Sequence, residues 1–188
     1  MVFKGLIEMK LIDKNKIIKK INMNMIAVLP TDTVYGIMAK FNRNNEIKIN
    51  KFKKSDINKK ISVIFYNKKE LFNYIEKLSF FRKLIIKILL PGKYTFIVDL
   101  KKEYALKSGF DRIDFGVRVT KCKELQTIIK KTGPLLATSC NKSKEEVYKT
   151  LSDLKKIKEN IFVYYTKDLK NKPSKIIKLN SKNIEVIR

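Results

Sequence analysis

The chain has 188 residues and a formal net charge of +25, with 43 lysines and arginines against 18 acidic residues. Its length suits one domain, and 44% hydrophobic residues are enough to fill a core. The absence of histidine excludes the commonest general base and metal ligand, and the two cysteines cannot build a zinc site.

Hydrophobic periodicity predicts helices and strands that alternate along the chain. Helices are expected over 13–22, 46–54, 68–77, 80–89, 123–131 and 144–157. Strands are expected over 25–29, 61–66, 94–100, 114–120, 135–138, 161–165, 174–179 and 183–187. This alternation is typical of α/β folds, and the mixture of long and short connections favours a mixed parallel and antiparallel sheet flanked by helices. Without a repeat or a Gly/Ser linker, residues 1–188 are predicted to form a single domain.

The basic balance would normally indicate a polyanionic partner. Arginine occurs only at positions 43, 82, 112, 118 and 188, so lysine carries most of the charge. Lysine, asparagine and isoleucine are abundant along the whole chain, which favours a general residue bias as the main cause. Attraction to nucleic acid would then be a consequence of the charge, and the charge is not evidence that the protein recognises a particular nucleotide sequence.

The cellular compartment is predicted from cysteine use and hydropathy. Cys122 and Cys140 fit a reduced intracellular protein better than a disulfide scaffold. No uncharged apolar run reaches the roughly 18 residues of a membrane span. Charges at Glu8, Lys10 and Asp13 interrupt the apolar start, so no signal peptide is expected. The sequence therefore predicts a cytoplasmic protein with no membrane partner.

Small polar residues follow the apolar strand 25–29, in the stretch "PTDTVYG". In an extended backbone the hydroxyls of Thr31 and Thr33 would point one way and Asp32 the other. Gly36 permits a close approach of the backbone. The stretch is either an ordinary turn, with Asp32 bonded to nearby backbone amides, or part of a ligand site.

The strand 135–138 also ends in hydroxyls and an amide, in the stretch "TSCN". Asn141 could cap a following helix, with Ser143 and Glu146 forming a capping box. Backbone amides at a helix start also bind phosphate, so both interpretations stand.

Cationic side chains supply two further candidate positions. Arg118 shares a strand face with Gly116 and Thr120, and its guanidinium either clamps a carboxylate or phosphate or forms a structural ion pair. The lysine-rich run 51–60 either neutralises phosphates or is a solvated loop. The turn "LPGKYT" adds the hydroxyl of Thr95.

In this order, the stretches resemble the YrdC family of threonylcarbamoyl-AMP synthases. "PTDTVYGI" is close to that family's P-T-D/E-T-x-Y/F-G signature, and "GPLLATSCNKS" resembles its P-L-x-x-T-S-A-N-x-S-G segment. "LPGKYTFIV", "FGVRV" and "KPSKII" are similar to three further segments of the family. The order and approximate spacing agree from residue 25 to residue 178.

The resemblance implies a YrdC-like fold, a twisted open α/β sandwich, here in its short single-domain form. It implies that L-threonine, bicarbonate and ATP, with Mg²⁺ accompanying the ATP, are converted to threonylcarbamoyl-AMP and pyrophosphate. A partner complex would then transfer the threonylcarbamoyl group to a tRNA adenosine beside the anticodon. The alternative is a basic RNA-binding module of the same fold with weak or lost catalysis, and direct contact with tRNA is open in both cases.

The resemblance also implies roles for particular residues. Arg118 and Lys53 are the expected catalytic cations, and Thr33 and Arg118 are expected to hold L-threonine. The expected nucleotide-binding residues are Lys53, Lys59, Thr95, Thr138, Ser139, Asn141 and Ser174. No side-chain metal ligand is expected. The clearest departure is Ser55, which stands where the family has an arginine, with Lys54 as the neighbouring cation.

Overall fold

Side-chain caps and alternating apolar residues set the element boundaries in the computed structural model, which describes residues 9–142, 145–179 and 184–187. Its helices are α1 (Lys14–Asn22), α2 (Arg43–Phe52), α3 (Lys68–Tyr74), α4 (Phe80–Leu89), α5 (Lys102–Lys107), α6 (Lys123–Thr132) and α7 (Leu151–Lys155). Its strands are β1 (Lys10–Leu11), β2 (Ala27–Leu29), β3 (Gly36–Lys40), β4 (Ser62–Phe65), β5 (Tyr94–Asp99), β6 (Asp114–Val119), β7 (Leu135–Ser139), β8 (Phe162–Val163), β9 (Lys175–Leu179) and β10 (Ile184–Val186).

The described strands form one sheet in the order β1-β8-β2-β3-β7-β4-β6-β5-β9-β10. Strand β8 runs parallel to β1 and β2, β4 runs parallel to β6, and β5 runs parallel to β9. The other neighbours are antiparallel. The predicted α/β fold with a mixed sheet flanked by helices is therefore confirmed.

Successive residues of a strand pack into two separate hydrophobic cores, one on each face of the sheet, because their side chains alternate between the faces. Met38 and Ile64 pack with α1 and α6, whereas their neighbours Ile37 and Val63 join a larger core on the opposite face. The larger core also receives buried side chains from α2, α3, α4, α5 and α7. Helices α1 and α6 cover only part of their face, which leaves room for a cavity beside them.

The predicted second helix, 46–54, starts earlier in the structure, at Arg43. Asn42 is its N-cap, and its side chain accepts a hydrogen bond from the backbone N–H of Asn45 at 2.9 Å. The sequence pattern missed this start because the first turn is polar.

The predicted helix 144–157 is wrong for most of its length, since the helix covers only Leu151–Lys155. Thr150 and Asp153 form the capping box of this helix. The capping box expected from Asn141, Ser143 and Glu146 includes a residue outside the described part of the chain. The backbone N–H of Tyr148 instead bonds the carbonyl of Cys140 at 2.8 Å, which ties this stretch to the end of β7. Residues 143 and 144 lie outside the described residues.

Three elements were not predicted from the sequence: β1, β3 and α5. Strand β3 follows the 30–36 turn directly and pairs with both β2 and β7. The sequence pattern missed β3 because the strand begins at Gly36, directly after the polar stretch 30–35, and ends at Lys40. The predicted last strand begins at residue 183, which lies outside the described residues, and β10 is seen from Ile184. In the part of the chain that the structure describes, no helix is long and apolar enough to cross a membrane.

A fully buried carboxylate joins α2 to two loop segments beside the sheet. Glu46 on α2 forms ion pairs with Arg43 at 2.6 Å and with Arg112, and it accepts the backbone N–H of Ile61 at 3.0 Å. The Arg112 guanidinium also lies 4.0 Å from the centroid of the Phe115 ring. Glu46 therefore fixes the point where the lysine-rich loop enters β4.

We expect Glu46→Ala to lower the free energy of unfolding by about 3–5 kcal/mol, because two partly buried arginines lose their shared partner. Urea denaturation would measure it. The control is Asp114→Asn, which removes the largely exposed ion pair with Lys60 and should cost less than about 1 kcal/mol. Equal losses in the two variants would contradict a structural role for the buried carboxylate.

Candidate functional site

A cavity of about 310 Å³ lies on the sheet face that carries α1 and α6. Met38, Ile64 and Ala137 line it and also belong to the core under those two helices. Its volume is at the lower end of the range for ligand pockets. All the site residues expected from the resemblance line this cavity: Thr33, Lys53, Lys59, Thr95, Arg118, Thr138, Ser139, Asn141 and Ser174. Their roles in binding and catalysis remain predictions.

The first group of cavity residues is organised by the buried guanidinium of Arg118. Its Nη2 donates to Asp32 Oδ1 at 2.8 Å, its Nη1 to Thr33 Oγ1 at 3.1 Å, and its Nε to the Gly92 carbonyl at 3.0 Å. Thr120 Oγ1 donates to the same Asp32 oxygen at 2.7 Å. Burial lowers the pKa of Arg118, and the charge and hydrogen bond of Asp32 oppose this shift.

Arg118 therefore forms the structural ion pair of the second interpretation. It also lines the cavity, and its role in clamping a carboxylate or phosphate stays a prediction. A guanidinium has five N–H donors, and three are used here. Among the described residues, one N–H on each terminal nitrogen has no hydrogen-bond partner, so Arg118 keeps donors that a bound anion could use.

The turn 31–34 is organised by a threonine hydroxyl and not by Asp32. Thr31 Oγ1 donates to the Val34 carbonyl at 2.7 Å and accepts the backbone N–H groups of Thr33 and Val34. The two threonine hydroxyls lie 2.9 Å apart, as their spacing suggested. Asp32 does not point the opposite way, because the chain bends here and its carboxylate reaches the same guanidinium as Thr33.

The second group of cavity residues surrounds Lys53, which is 4% exposed at the end of α2. Its ammonium donates to the Ser139 carbonyl and to Asn141 Oδ1, the latter at 2.8 Å. Ser139 Oγ donates to the same Asn141 oxygen at 2.8 Å. Asn141 therefore does not cap a helix but connects the ammonium to the hydroxyl. Burial lowers the pKa of Lys53 to about 8.

The third group of cavity residues is a pair of hydroxyls on the far strands. Thr95 Oγ1 and Ser174 Oγ lie 3.0 Å apart, and both line the cavity. Beside them, Gly116 has no room for a side chain, because a Cβ there would lie 2.6 Å from Ser62 Oγ and 3.1 Å from the Thr95 methyl carbon. Ser62 lines the cavity too, and sequence reasoning missed it because it lies inside the apolar run of β4.

The lysine-rich loop is held in place by a buried amide on α2 that sequence reasoning also missed. Asn50 Nδ2 donates to the carbonyls of Ile57 and Lys59 at 3.1 and 2.7 Å, and Ser55 Oγ donates to Asn50 Oδ1 at 3.1 Å. These bonds place Lys59 at the cavity and make Ser55 an anchor of the loop. The one sequence feature that could have indicated this anchor is the position of Asn50, in the helix directly before the lysine-rich run.

The other lysines of the loop are placed differently. Lys60 lines the cavity but forms an ion pair with Asp114. Lys54, the suggested substitute for an arginine at position 55, is not among the residues that line the cavity. Lys53 and Lys59 are therefore the loop cations best placed to meet an anion.

An open mixed sheet with a cavity lined by hydroxyls, an amide and cations defines an α/β domain suited to binding anions. The Sua5/YciO/YrdC family, described as "Telomere recombination", matches residues 19–188. The chain belongs to this family.

Solved structures share the fold. A double variant of P. abyssi Sua5 is 17% identical with a TM-score of 0.81, over 96% of this chain and 60% of that chain. E. coli YciO is 22% identical with a TM-score of 0.80, over 97% of this chain and 95% of that chain. HypF in a phosphate- and nucleotide-bound form is 14% identical with a TM-score of 0.73, over 93% of this chain and 28% of that chain.

P. abyssi Sua5 has also been solved in complex with L-threonine, and that structure is 18% identical with a TM-score of 0.79, over 98% of this chain and 57% of that chain. The chain thus spans about 60% of the length of the Sua5 that it matches. No curated protein sequence matches it significantly.

If Lys53 contacts a nucleotide, as the family resemblance implies, we expect ATP affinity to weaken about tenfold between pH 7 and pH 9, because the ammonium of Lys53 loses its charge around pH 8. An ordinary lysine would stay charged over this range, so the effect depends on burial. Calorimetric titration with ATP at the two pH values would measure it.

The matched control for this titration is Lys53→Arg, whose guanidinium stays charged at both pH values. Its ATP affinity should be nearly flat over the same range. A tenfold loss in both proteins, or in neither, would contradict a phosphate contact by Lys53.

Proposed function

We propose that the chain is an L-threonylcarbamoyladenylate synthase, which forms threonylcarbamoyl-AMP and pyrophosphate from L-threonine, bicarbonate and ATP. The observation that carries this proposal is the meeting of the three hydrogen-bonded groups around Arg118, Lys53 and Thr95 in one cavity. In this proposal, Arg118 binds the carboxylate of an amino acid, and Lys53 and Lys59 bind the phosphates of a nucleotide beside it. Family membership and the L-threonine complex of P. abyssi Sua5 support the same substrate.

The first step needs a bound amino acid. The two unused N–H donors of Arg118 would hold the carboxylate of L-threonine, while Thr33 meets its polar groups. Asp32 and the Gly92 carbonyl fix the guanidinium in position, so little ordering is needed when the substrate binds. The free amine then takes up bicarbonate to give a carbamate and water.

The second step is transfer to the nucleotide. A carbamate oxygen attacks the α-phosphorus, the bond from that phosphorus to its bridging oxygen breaks, and pyrophosphate leaves. No covalent intermediate with a side chain is needed, so a site without histidine is suited to this chemistry. Lys53 and Lys59 would offset the charge on the phosphates, while Ser139, Thr138 and Asn141 position the nucleotide beside the hydroxyls of Thr95 and Ser174.

Mg²⁺ would enter with ATP, because the described residues that line the cavity include hydroxyl and amide oxygens but no carboxylate. Mg²⁺ keeps several waters and binds substrate phosphates readily, so this donor set fits a metal carried by the nucleotide. The ion would add positive charge beside the leaving pyrophosphate.

The product suggests a place in tRNA modification. A mixed anhydride of a carbamate and AMP is an activated group, and a transferase complex would pass its threonylcarbamoyl part to an adenosine beside the anticodon. The net charge of +25 would favour contact with tRNA during that transfer.

We expect Arg118→Ala to lower threonine-dependent pyrophosphate release at least about a hundredfold, because the carboxylate grip is lost. ATP affinity should be retained, since the groups around Lys53 and Thr95 remain, and a calorimetric titration with ATP also shows that the variant is folded. Arg82→Ala, on α4 outside the cavity, is the matched control and should keep full activity.

Retained synthesis in a folded Arg118→Ala protein would contradict the assignment of L-threonine to this guanidinium. If the unaltered chain releases no pyrophosphate with L-threonine, bicarbonate and ATP, and binds tRNA with steeply salt-dependent affinity, the RNA-binding alternative is favoured.

A further inference from the structure

Helix α4 carries a row of exposed apolar side chains, Phe80, Phe81, Leu84 and Ile88, which we call the α4 stripe. They are between 41% and 82% exposed. At 3.6 residues per turn they fall within an arc of about 100°, so they form one continuous surface. Single exposed apolar residues are ordinary, but a continuous group with two phenylalanines marks a contact surface. None of these residues lines the candidate cavity.

One border of the α4 stripe is basic. Lys83 and Lys87 follow each other along that side of the helix, and α4 contains no acidic residue. The Lys83 ammonium lies 5.5 Å from the centroid of the Phe72 ring, and the Lys68 ammonium donates to the Lys87 carbonyl at 3.1 Å. These contacts hold the ammonium groups of Lys83 and Lys68 near α4, and Lys87 adds a third cation on the same side of the helix. Glu76 is the exposed carboxylate in the segment leading to the helix.

A second copy of the chain is a poor fit to this surface. Each copy has a net charge of +25, so two basic borders would repel each other. A stable protein interface also uses about 20 residues on each side, and the α4 stripe offers four. A bilayer surface requires only one helix with an apolar face and a basic border.

We propose that α4 docks the protein on an anionic phospholipid bilayer. The helix, about 15 Å long, would lie in the plane of the interface. The α4 stripe would enter the boundary between headgroups and acyl chains, while Lys83 and Lys87 meet the phosphates of the headgroups. The sequence-based expectation of no membrane partner rested on the lack of a spanning segment, and this docking needs none.

The chain has no tryptophan, so the fluorescence of a single introduced tryptophan reports only on the surroundings of the substituted position. In Phe81→Trp we expect emission to move to shorter wavelength when vesicles of phosphatidylcholine with about 30% phosphatidylglycerol are added. In the matched control Leu106→Trp, at an exposed apolar position on α5, we expect no shift. Pure phosphatidylcholine vesicles should give a much smaller shift with Phe81→Trp.

Vesicle sedimentation separates insertion from simple attraction of a basic protein. The double variant Phe80→Ser with Phe81→Ser keeps every charge and should bind anionic vesicles at least about tenfold more weakly. Because both side chains are exposed, its unfolding temperature should match that of the unaltered protein.

Several results would overturn the proposal. Equal vesicle binding by the double variant, or equal emission shifts at positions 81 and 106, would show adsorption by charge alone. If the protein does not bind anionic vesicles, the proposal is wrong, and a protein partner becomes the better candidate for the α4 stripe. A dimer in sedimentation velocity that the double variant abolishes would assign it to a second copy.

Discussion

The ion pair between Arg118 and Asp32 is the interaction on which the candidate site depends. It joins the turn after β2 to strand β6, two segments 86 residues apart in sequence. Thr33, Thr120 and the Gly92 carbonyl complete it, so five groups from three segments of the chain converge on one charge pair. Burying a guanidinium is costly unless it is paired and hydrogen-bonded, and this pairing keeps a charged, fixed donor at the cavity wall.

The remaining charge of the cavity comes from lysines whose positions matter more than their number. The chain is rich in lysine everywhere, so a lysine run is weak evidence for a site. Lys53 differs because it is buried against Ser139 and Asn141, and Lys59 differs because Asn50 holds its backbone. Asp32 pairs with Arg118 and Asp114 pairs with Lys60, so Lys53 and Lys59 are the cavity cations without an ion pair among the described residues.

Much of the fold follows from residue patterns, because long apolar periods such as those of α1, α4 and α6 decide both element type and buried face. Short or polar elements cannot be predicted in this way. Strand β3 was missed because it begins at a glycine. The helix expected over 144–157 is shorter in the structure, where the backbone N–H of Tyr148 bonds the carbonyl of Cys140 instead. The site residues came from motifs at strand ends. Their supports, Asn50 and Gly116, depend on contacts between distant segments, which no local pattern contains.

The most direct test of the account is a crystal structure of the protein soaked with L-threonine and a non-hydrolysable ATP analogue. The account predicts the threonine carboxylate on the two unused N–H groups of Arg118 and the phosphates beside Lys53 and Lys59. L-threonine bound away from Arg118, or phosphates bound outside this cavity, would contradict it.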